Sequence, residues 1–202
     1  MARRKAAQDS AAESPVPSPA FDPAGEPNQV LAKEKARSAK QLDLGKPRSY
    51  EPALYLAACL IALDRHAEAE QVVGHLSQRD PGAFKRPGDW SPVSRAVGLL
   101  AWLLHRRGAL SEAAAQAARI EAWGHFRAEN CVIDPDQEAG ALDQARGSIA
   151  GQSTPTGARN WRVTLARELC WVIVLRRARG LPVERYEAEL QDDLVALRAL
   201  LG

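Results

Sequence analysis

His125, Cys131, Asp134 and Asp136 come nearest to a catalytic set in this chain. A histidine close to a cysteine can take the thiol proton, and the thiolate that results is a strong nucleophile. All four residues lie in a stretch without helical periodicity, and such segments often carry function. The sequence offers no third group to orient the pair, and Asp134-Pro-Asp136 is typical of a turn that leads into a helix cap. We therefore expect no catalytic residue, with nucleophilic chemistry at Cys131 as the alternative.

The remaining histidines and cysteines do not form a metal or cofactor motif. His66 and His75 are nine residues apart, which differs from the i, i+4 spacing of a zinc-binding helix. Cys59, Cys131 and Cys170 are widely separated and form no CxxC pair. The chain also has no phosphate-binding loop and no GxGxxG or GxSxG motif. The sequence predicts neither a metal nor a cofactor.

Basic residues are almost balanced by acidic ones. The formal charge of +2 arises from 27 Lys and Arg against 25 Asp and Glu. Arg176, Arg177 and Arg179 could bind phosphate groups, but cations in the last turn of a helix are favoured by the helix dipole in any case. His105 also lies near a predicted helix end, where the helix dipole favours a cation. Nucleic acid is therefore not favoured as a partner.

The chain shows no export or membrane signal that the sequence rules recognise. Basic residues 3–5 are followed by Ser, Pro and Ala rather than by an apolar stretch, which argues against a cleaved signal peptide. The apolar run from Val163 to Leu175 is interrupted by Arg167 and Glu168 and is too short to span a bilayer. An odd number of separated cysteines suits a reducing compartment. We expect a cytoplasmic protein that does not insert into membranes.

Composition favours helices throughout the folded region. Ala, Leu, Arg, Glu and Gln dominate, and these residues lose little side-chain freedom in a helix. Residues 1–48 differ, since the segment 11–29 holds five prolines and few large apolar residues. We predict a disordered Pro/Ala/Ser-rich tail over 1–48 and an all-α domain over 49–202. Within the tail, residues 30–42 favour a short helix that is either idle or docked on the domain or a partner.

Helical periodicity and turn residues divide the domain into hairpins. A break is expected at 63–65, loops at 80–90 and 151–160, and a C-cap at Gly180. Ser91 is a suitable N-cap, with Pro92 at the first helical position. Asp136 should cap a short helix. The predicted helices are 51–62, 66–78, 92–107, 111–123, 136–150, 160–179 and 182–201.

Two of these hairpins resemble a tetratricopeptide repeat over residues 50–123. The stretch LDRHAEAEQVVGHLSQRDP has the small residue Ala69 in its helix and a closing Pro81, as in the second half of such a unit. Ala113 takes the equivalent place 44 residues later, where about 34 is usual. The resemblance implies stacked antiparallel hairpins, with alanines at the helix crossings and the first helix of each hairpin lining a groove.

This arrangement predicts a non-enzymatic protein-interaction module of bacterial type, such as an adaptor, a secretion chaperone or a toxin-immunity protein. Its partner would be another protein or a peptide in a groove between helices, and the short stack leaves a homodimer open. An alternative is a secreted bacterial effector whose tail is a non-cleaved export signal. The candidate contact residues are Tyr55, Trp90, Arg95 and Trp102.

Overall fold

The computed structural model describes residues 21–42, 50–78, 90–123, 135–147 and 154–202. Within these ranges the chain forms eight helices and no strand, which confirms the all-α prediction. The helices are α1 (Gln29–Leu42), α2 (Glu51–Ala62), α3 (His66–Ser77), α4 (Trp90–Arg106), α5 (Leu110–Trp123), α6 (Pro135–Gly147), α7 (Pro155–Ala178) and α8 (Glu184–Leu201).

Helices that follow one another in the chain form packed pairs. The helix α3 packs on α2, α5 on α4, and α8 on α7. The first turn falls at the predicted break, where Asp64 takes a φ of 58°. Between α7 and α8, Gly180 takes a φ of 65°, a left-handed conformation that glycine adopts without a steric penalty. The predicted hairpin turns are confirmed at both places.

The helix α1 lies inside the segment predicted to be disordered. Asn28 caps it, since its Oδ1 accepts hydrogen bonds from the backbone N–H of Val30 and Leu31. The helix packs on α2, and Leu31 is fully buried. The packed chain thus begins before residue 49, and of the outcomes left open for 30–42 the structure shows docking on the domain. Phe21 and Val30 also pack, partly buried, against the same core, so several apolar contacts hold the segment despite the polar composition around them. Residues 1–20 lie outside the described residues.

The helix α7 is the central element of the fold. It contacts α2, α4, α5, α6 and α8, and its residues 169–175 are all buried. It starts at Pro155, whereas the predicted helix began at residue 160, so the predicted loop is wrong for residues 155–159. The reason is local: Thr154 Oγ1 accepts a hydrogen bond from the Gly157 N–H at 3.1 Å, and Pro155 suits the first helical position.

Two other helix starts also differ from the sequence prediction. The helix α4 begins at Trp90, which places Trp90 in the helix rather than in the preceding loop. The helix α6 begins at Pro135, so Asp136 lies in its first turn and not at its cap.

A buried carboxylate, Asp193 of α8, accepts hydrogen bonds from Arg146 of α6 and Arg162 of α7. This charged cluster joins the last three helices.

Candidate functional site

Two of the predicted contact residues are engaged by α7. Arg95 forms a two-pronged ion pair with Glu168, with Nε–Oε1 at 2.8 Å and Nη2–Oε2 at 2.6 Å. Its guanidinium also lies 3.8 Å from the ring centroid of the buried Trp171. The hydroxyl of Tyr55 accepts a hydrogen bond from Arg159 Nε at 2.9 Å. Both residues therefore serve contacts between helices of the same chain.

The structure describes the side chain of one of the other two candidates, Trp102. Trp102 is only 4% exposed and packs edge-on against the ring of His66, with Arg106 over its face. The side chain of Arg95 is 11% exposed. Both side chains are thus largely buried, and contact with a partner by any of the four candidates stays a prediction. Trp90 begins α4, and its side chain lies outside the described residues.

The position of α7 explains this result. The resemblance to a tetratricopeptide repeat implies an open groove lined by α2 and α4. In the structure α7 packs along both helices, and the Arg167–Glu51 ion pair at 2.7 Å adds a further contact to α2. A segment of the same chain thus fills the place where a partner was expected.

An open groove is present on another face, where α5 and α7 both pack against α4. This cavity has a volume of about 380 Å³ and is open to solvent along one side. Its walls are formed mainly by small side chains, and we call it the alanine groove. The alanines that line it are Ala101 of α4, Ala113, Ala114 and Ala117 of α5, and Ala178 of α7.

One end of the alanine groove carries larger and charged residues. His105 in the last turn of α4, Leu110 at the start of α5 and Arg177 in the last turn of α7 all line it. Leu110 is 58% exposed and is one of two large apolar side chains that are exposed among the described residues. The groove therefore combines an apolar wall with a basic end.

Arg177 separates the alanine groove from a second cavity of about 350 Å³. This cavity is more polar, since Trp102, Arg106 and Glu187 line it together with Arg177. The Nη2 atom of Arg177 donates to Glu187 of α8. Its Nη1 atom is buried and has no hydrogen-bond acceptor among the described residues. Burial lowers the pKa of Arg177, because the charged form loses hydration.

The charge of Arg177 also affects His105. Burial lowers the pKa of His105 below its ordinary value of 6.5, and the nearby Arg177 lowers it further. The imidazole in the empty groove is therefore neutral at pH 7. Neutral imidazole offers one donor and one acceptor nitrogen to an incoming group.

The cysteines that the structure describes are poor nucleophiles. Cys59 and Cys170 are buried free thiols. Burial raises the pKa of Cys59 to about 12, and it raises that of Cys170 as well. Both thiols are therefore protonated near pH 7. The hypothesis of a His125–Cys131 pair, with Asp134, falls on residues outside the described ranges and stays untested.

The basic residues near the end of α7 have internal partners. Arg176 is buried, donates from Nε to the Pro182 carbonyl at 2.8 Å and pairs with Asp136. Arg179 Nε lies 2.8 Å from Glu121 Oε1. Arg176 thus holds α7 to α6 and to the segment before α8, and Arg179 holds it to α5, which accounts for these two basic residues without a phosphate ligand.

No protein-family model, curated protein or solved structure matches this chain. The tetratricopeptide resemblance of residues 50–123 therefore stays a prediction. Within the described ranges, no three His, Cys, Asp or Glu side chains are placed to hold a metal ion. No helix in these ranges is long and apolar enough to cross a membrane. The inference of function depends on the geometry alone.

Sequence reasoning assigned no binding role to the residues of the alanine groove. The stretch SEAAAQAARIEAW places alanines on several faces of α5, and Ala114 and Ala115 are both exposed. An exposed alanine face is compatible with an idle surface, so the residue types of α5 alone do not distinguish it. Only the packing of α7 beside α5 turns this face into one wall of a groove.

Proposed function

We propose that this chain is a non-enzymatic interaction module that binds a segment of a partner protein in the alanine groove. An adaptor, a secretion chaperone and a toxin-immunity protein all act in this way. The observation that carries the proposal is an open, largely apolar groove between two helices that share a third helix as their floor. Its volume of about 380 Å³ is that of a small-molecule cleft, roughly 300–1,000 Å³, so it takes side chains of the partner segment rather than its backbone.

The side chains of the groove suit a helical occupant. Small residues on both walls allow the backbone of an incoming helix to approach closely, as alanines do at helix crossings. The exposed Leu110 at the rim adds apolar surface that an occupant would cover. Recognition of a helix in a groove uses apolar side chains of the occupant at i, i+3, i+4 and i+7.

A site-specific crosslinking experiment tests the proposal. A benzophenone amino acid at Ala114 lies in the wall of the groove, whereas the same group at Ala115 lies on the same helix outside it. After irradiation in cells that naturally produce the protein, we expect adducts with a partner from position 114 and few from position 115. Mass spectrometry then identifies the partner.

The masses of the adducts distinguish the kinds of partner. An adduct of twice the mass of the chain would identify a second copy as the occupant, which corresponds to a homodimer. Equal yields from positions 114 and 115, or no adduct from either, would refute binding in the alanine groove.

A further inference from the structure

We infer that the alanine groove selects an acidic amphipathic helix, whose apolar side chains lie against the alanine walls and whose carboxylate binds Arg177 beside His105. This inference rests on the proposed function and specifies the chemistry of the partner. It follows from three features of the groove: its apolar rim, the unsatisfied donor of Arg177 and the electrostatics of His105.

The apolar part of the groove requires an apolar face on the partner. Leu110 is exposed and lines the groove together with Arg177 and His105, so the occupant must present both apolar and acidic groups. Residues three or four positions apart on a helix are neighbours on its surface. A Glu or Asp one turn away from a Leu on the partner would meet this requirement.

Arg177 has one donor atom that the described residues leave without an acceptor. Its ion pair with Glu187 engages Nη2, and the Glu187 side chain is about half exposed to solvent. The Nη1 atom is buried without an acceptor among the described residues, which is a costly state for a charged group. The Arg177 side chain as a whole is 23% exposed and lines the groove, so a carboxylate there would pair with the guanidinium beside Glu187, and hydrogen bonds between ionised groups are the strong ones.

The helix dipole does not account for this arrangement by itself. A cation in the last turn of α7 interacts favourably with the carbonyl end of the helix. That interaction is equally available to a solvated arginine, as it is for the exposed Arg179. It gives no reason for Arg177 to line both cavities, nor for its Nη1 atom to be buried without an acceptor among the described residues.

His105 adds to the preference for an anion. Its pKa is lowered by burial and by the charge of Arg177, both of which act in the empty groove. A carboxylate placed between the two residues offsets the charge of Arg177 and accepts a hydrogen bond from the imidazole N–H. An amine or an uncharged amide in that place would not offset this charge.

Binding of defined peptides tests the inference. The probe is a fluorescent helical peptide of about 18 residues with Leu at i, i+3, i+4 and i+7 and Glu one turn from the first Leu. The matched peptide has Gln in place of that Glu. By fluorescence anisotropy we expect the full-length protein to bind the Glu peptide about tenfold more tightly than the Gln peptide.

Variants of the protein locate the site. Ala114→Trp should fill the groove and abolish binding, whereas Ala115→Trp should leave it unchanged. Arg177→Gln should remove the preference for the Glu peptide, whereas Arg185→Gln, at an exposed position on α8, should retain it. Circular dichroism checks that each variant folds. If Arg177→Gln does not fold, the comparison of Ala114→Trp with Ala115→Trp still tests the location of the site.

The outcomes separate this inference from the proposed function. Equal affinity for the Glu and Gln peptides would overturn the acidic preference and leave the groove as a binding site. Equal effects of Ala114→Trp and Ala115→Trp would overturn the location. If neither peptide binds while position 114 still crosslinks to a natural partner, the occupant is not an acidic helix and only the inference fails. If position 114 gives no adduct, the proposed function fails as well.

Discussion

At the scale of single residues, Gly98 is a point where α4 and α7 approach each other closely. A Cβ atom at this position would lie 2.6 Å from Trp171 Cδ1 and 3.4 Å from Trp171 Cα. The Trp171 side chain is fully buried and cannot move away without repacking the core. The absence of a side chain at residue 98 thus sets how closely the two helices approach.

Gly98→Ala should therefore destabilise the protein. Alanine in place of a helical glycine normally adds up to about 1 kcal/mol of stability, but overpacking a core costs about 1–3 kcal/mol. We expect a net loss of about 1–2 kcal/mol in the free energy of unfolding, measured by urea denaturation. The control is Gly74→Ala in α3, where a Cβ meets nothing within 4 Å and a gain of about 0.5–1 kcal/mol is expected. Equal effects of the two substitutions would contradict the tight contact.

Residue-level predictions from sequence succeeded where the cause is local. The role of Gly180 follows from its neighbours in the chain, because a helix end needs a left-handed residue there. The role of Arg95 does not, since its partner Glu168 is 73 residues away and only the fold brings them together. The alanine groove depends in the same way on α5 and α7, which are far apart in sequence.

At the scale of helices, the start of α7 shows how a cap can override a composition typical of a loop. Ser, Thr, Pro and Gly at 153–157 predict a loop when they are counted as turn formers. The order of the residues matters more: Thr154 is followed directly by Pro155, and these are an N-cap residue and a first helical residue. The same order occurs at Ser91-Pro92, but there it does not mark the start of the helix, since α4 already begins at Trp90.

Thr154→Ala should reduce stability, because it removes the acceptor for the Gly157 N–H. The expected loss is about 1 kcal/mol in the free energy of unfolding. Thr164→Ala is the matched control: Thr164 is exposed within the same helix and its hydroxyl donates to the Asn160 carbonyl. Alanine favours a helix interior, so the control should gain about 0.5 kcal/mol. A loss from the control as large as that from Thr154→Ala would count against a specific role of the cap. Chemical denaturation of both variants measures the difference.

At the scale of the whole molecule, the segment that precedes α2 ties together distant parts of the chain. Glu26 has a side chain only 1% exposed, and it pairs with Lys35 Nζ at 2.6 Å and with Arg65 Nη1 at 2.8 Å. Asn28 Nδ2 donates to the Leu201 carbonyl at the end of α8. Contacts of one short segment thus reach both the first hairpin and the last helix. The sequence left docking of this segment open, since its apolar anchor Leu31 stands among polar residues.

Glu26→Gln should therefore destabilise the protein in a pH-dependent manner. Burial raises the pKa of Glu26, but the hydrogen bonds from Lys35 and Arg65 outweigh this effect and bring the pKa below its ordinary value of 4.5. A carboxyl with a lowered pKa in the folded state contributes stability above the unfolded pKa, and this contribution is lost as the pH falls through the folded value. At pH 7 we expect Glu26→Gln to lose about 1–3 kcal/mol in the free energy of unfolding.

The pH dependence distinguishes the charge of Glu26 from its shape. The difference between wild type and Glu26→Gln should narrow as the pH falls below 4.5, because the wild-type carboxyl then becomes neutral like the amide. Glu112→Gln serves as the control, since Glu112 forms an exposed pair with Arg107 and such pairs contribute about 0–1 kcal/mol. Urea denaturation between pH 7 and pH 3 provides the comparison. A difference that stays constant over this range would show that packing of the side chain, rather than its charge, holds the segment on the domain.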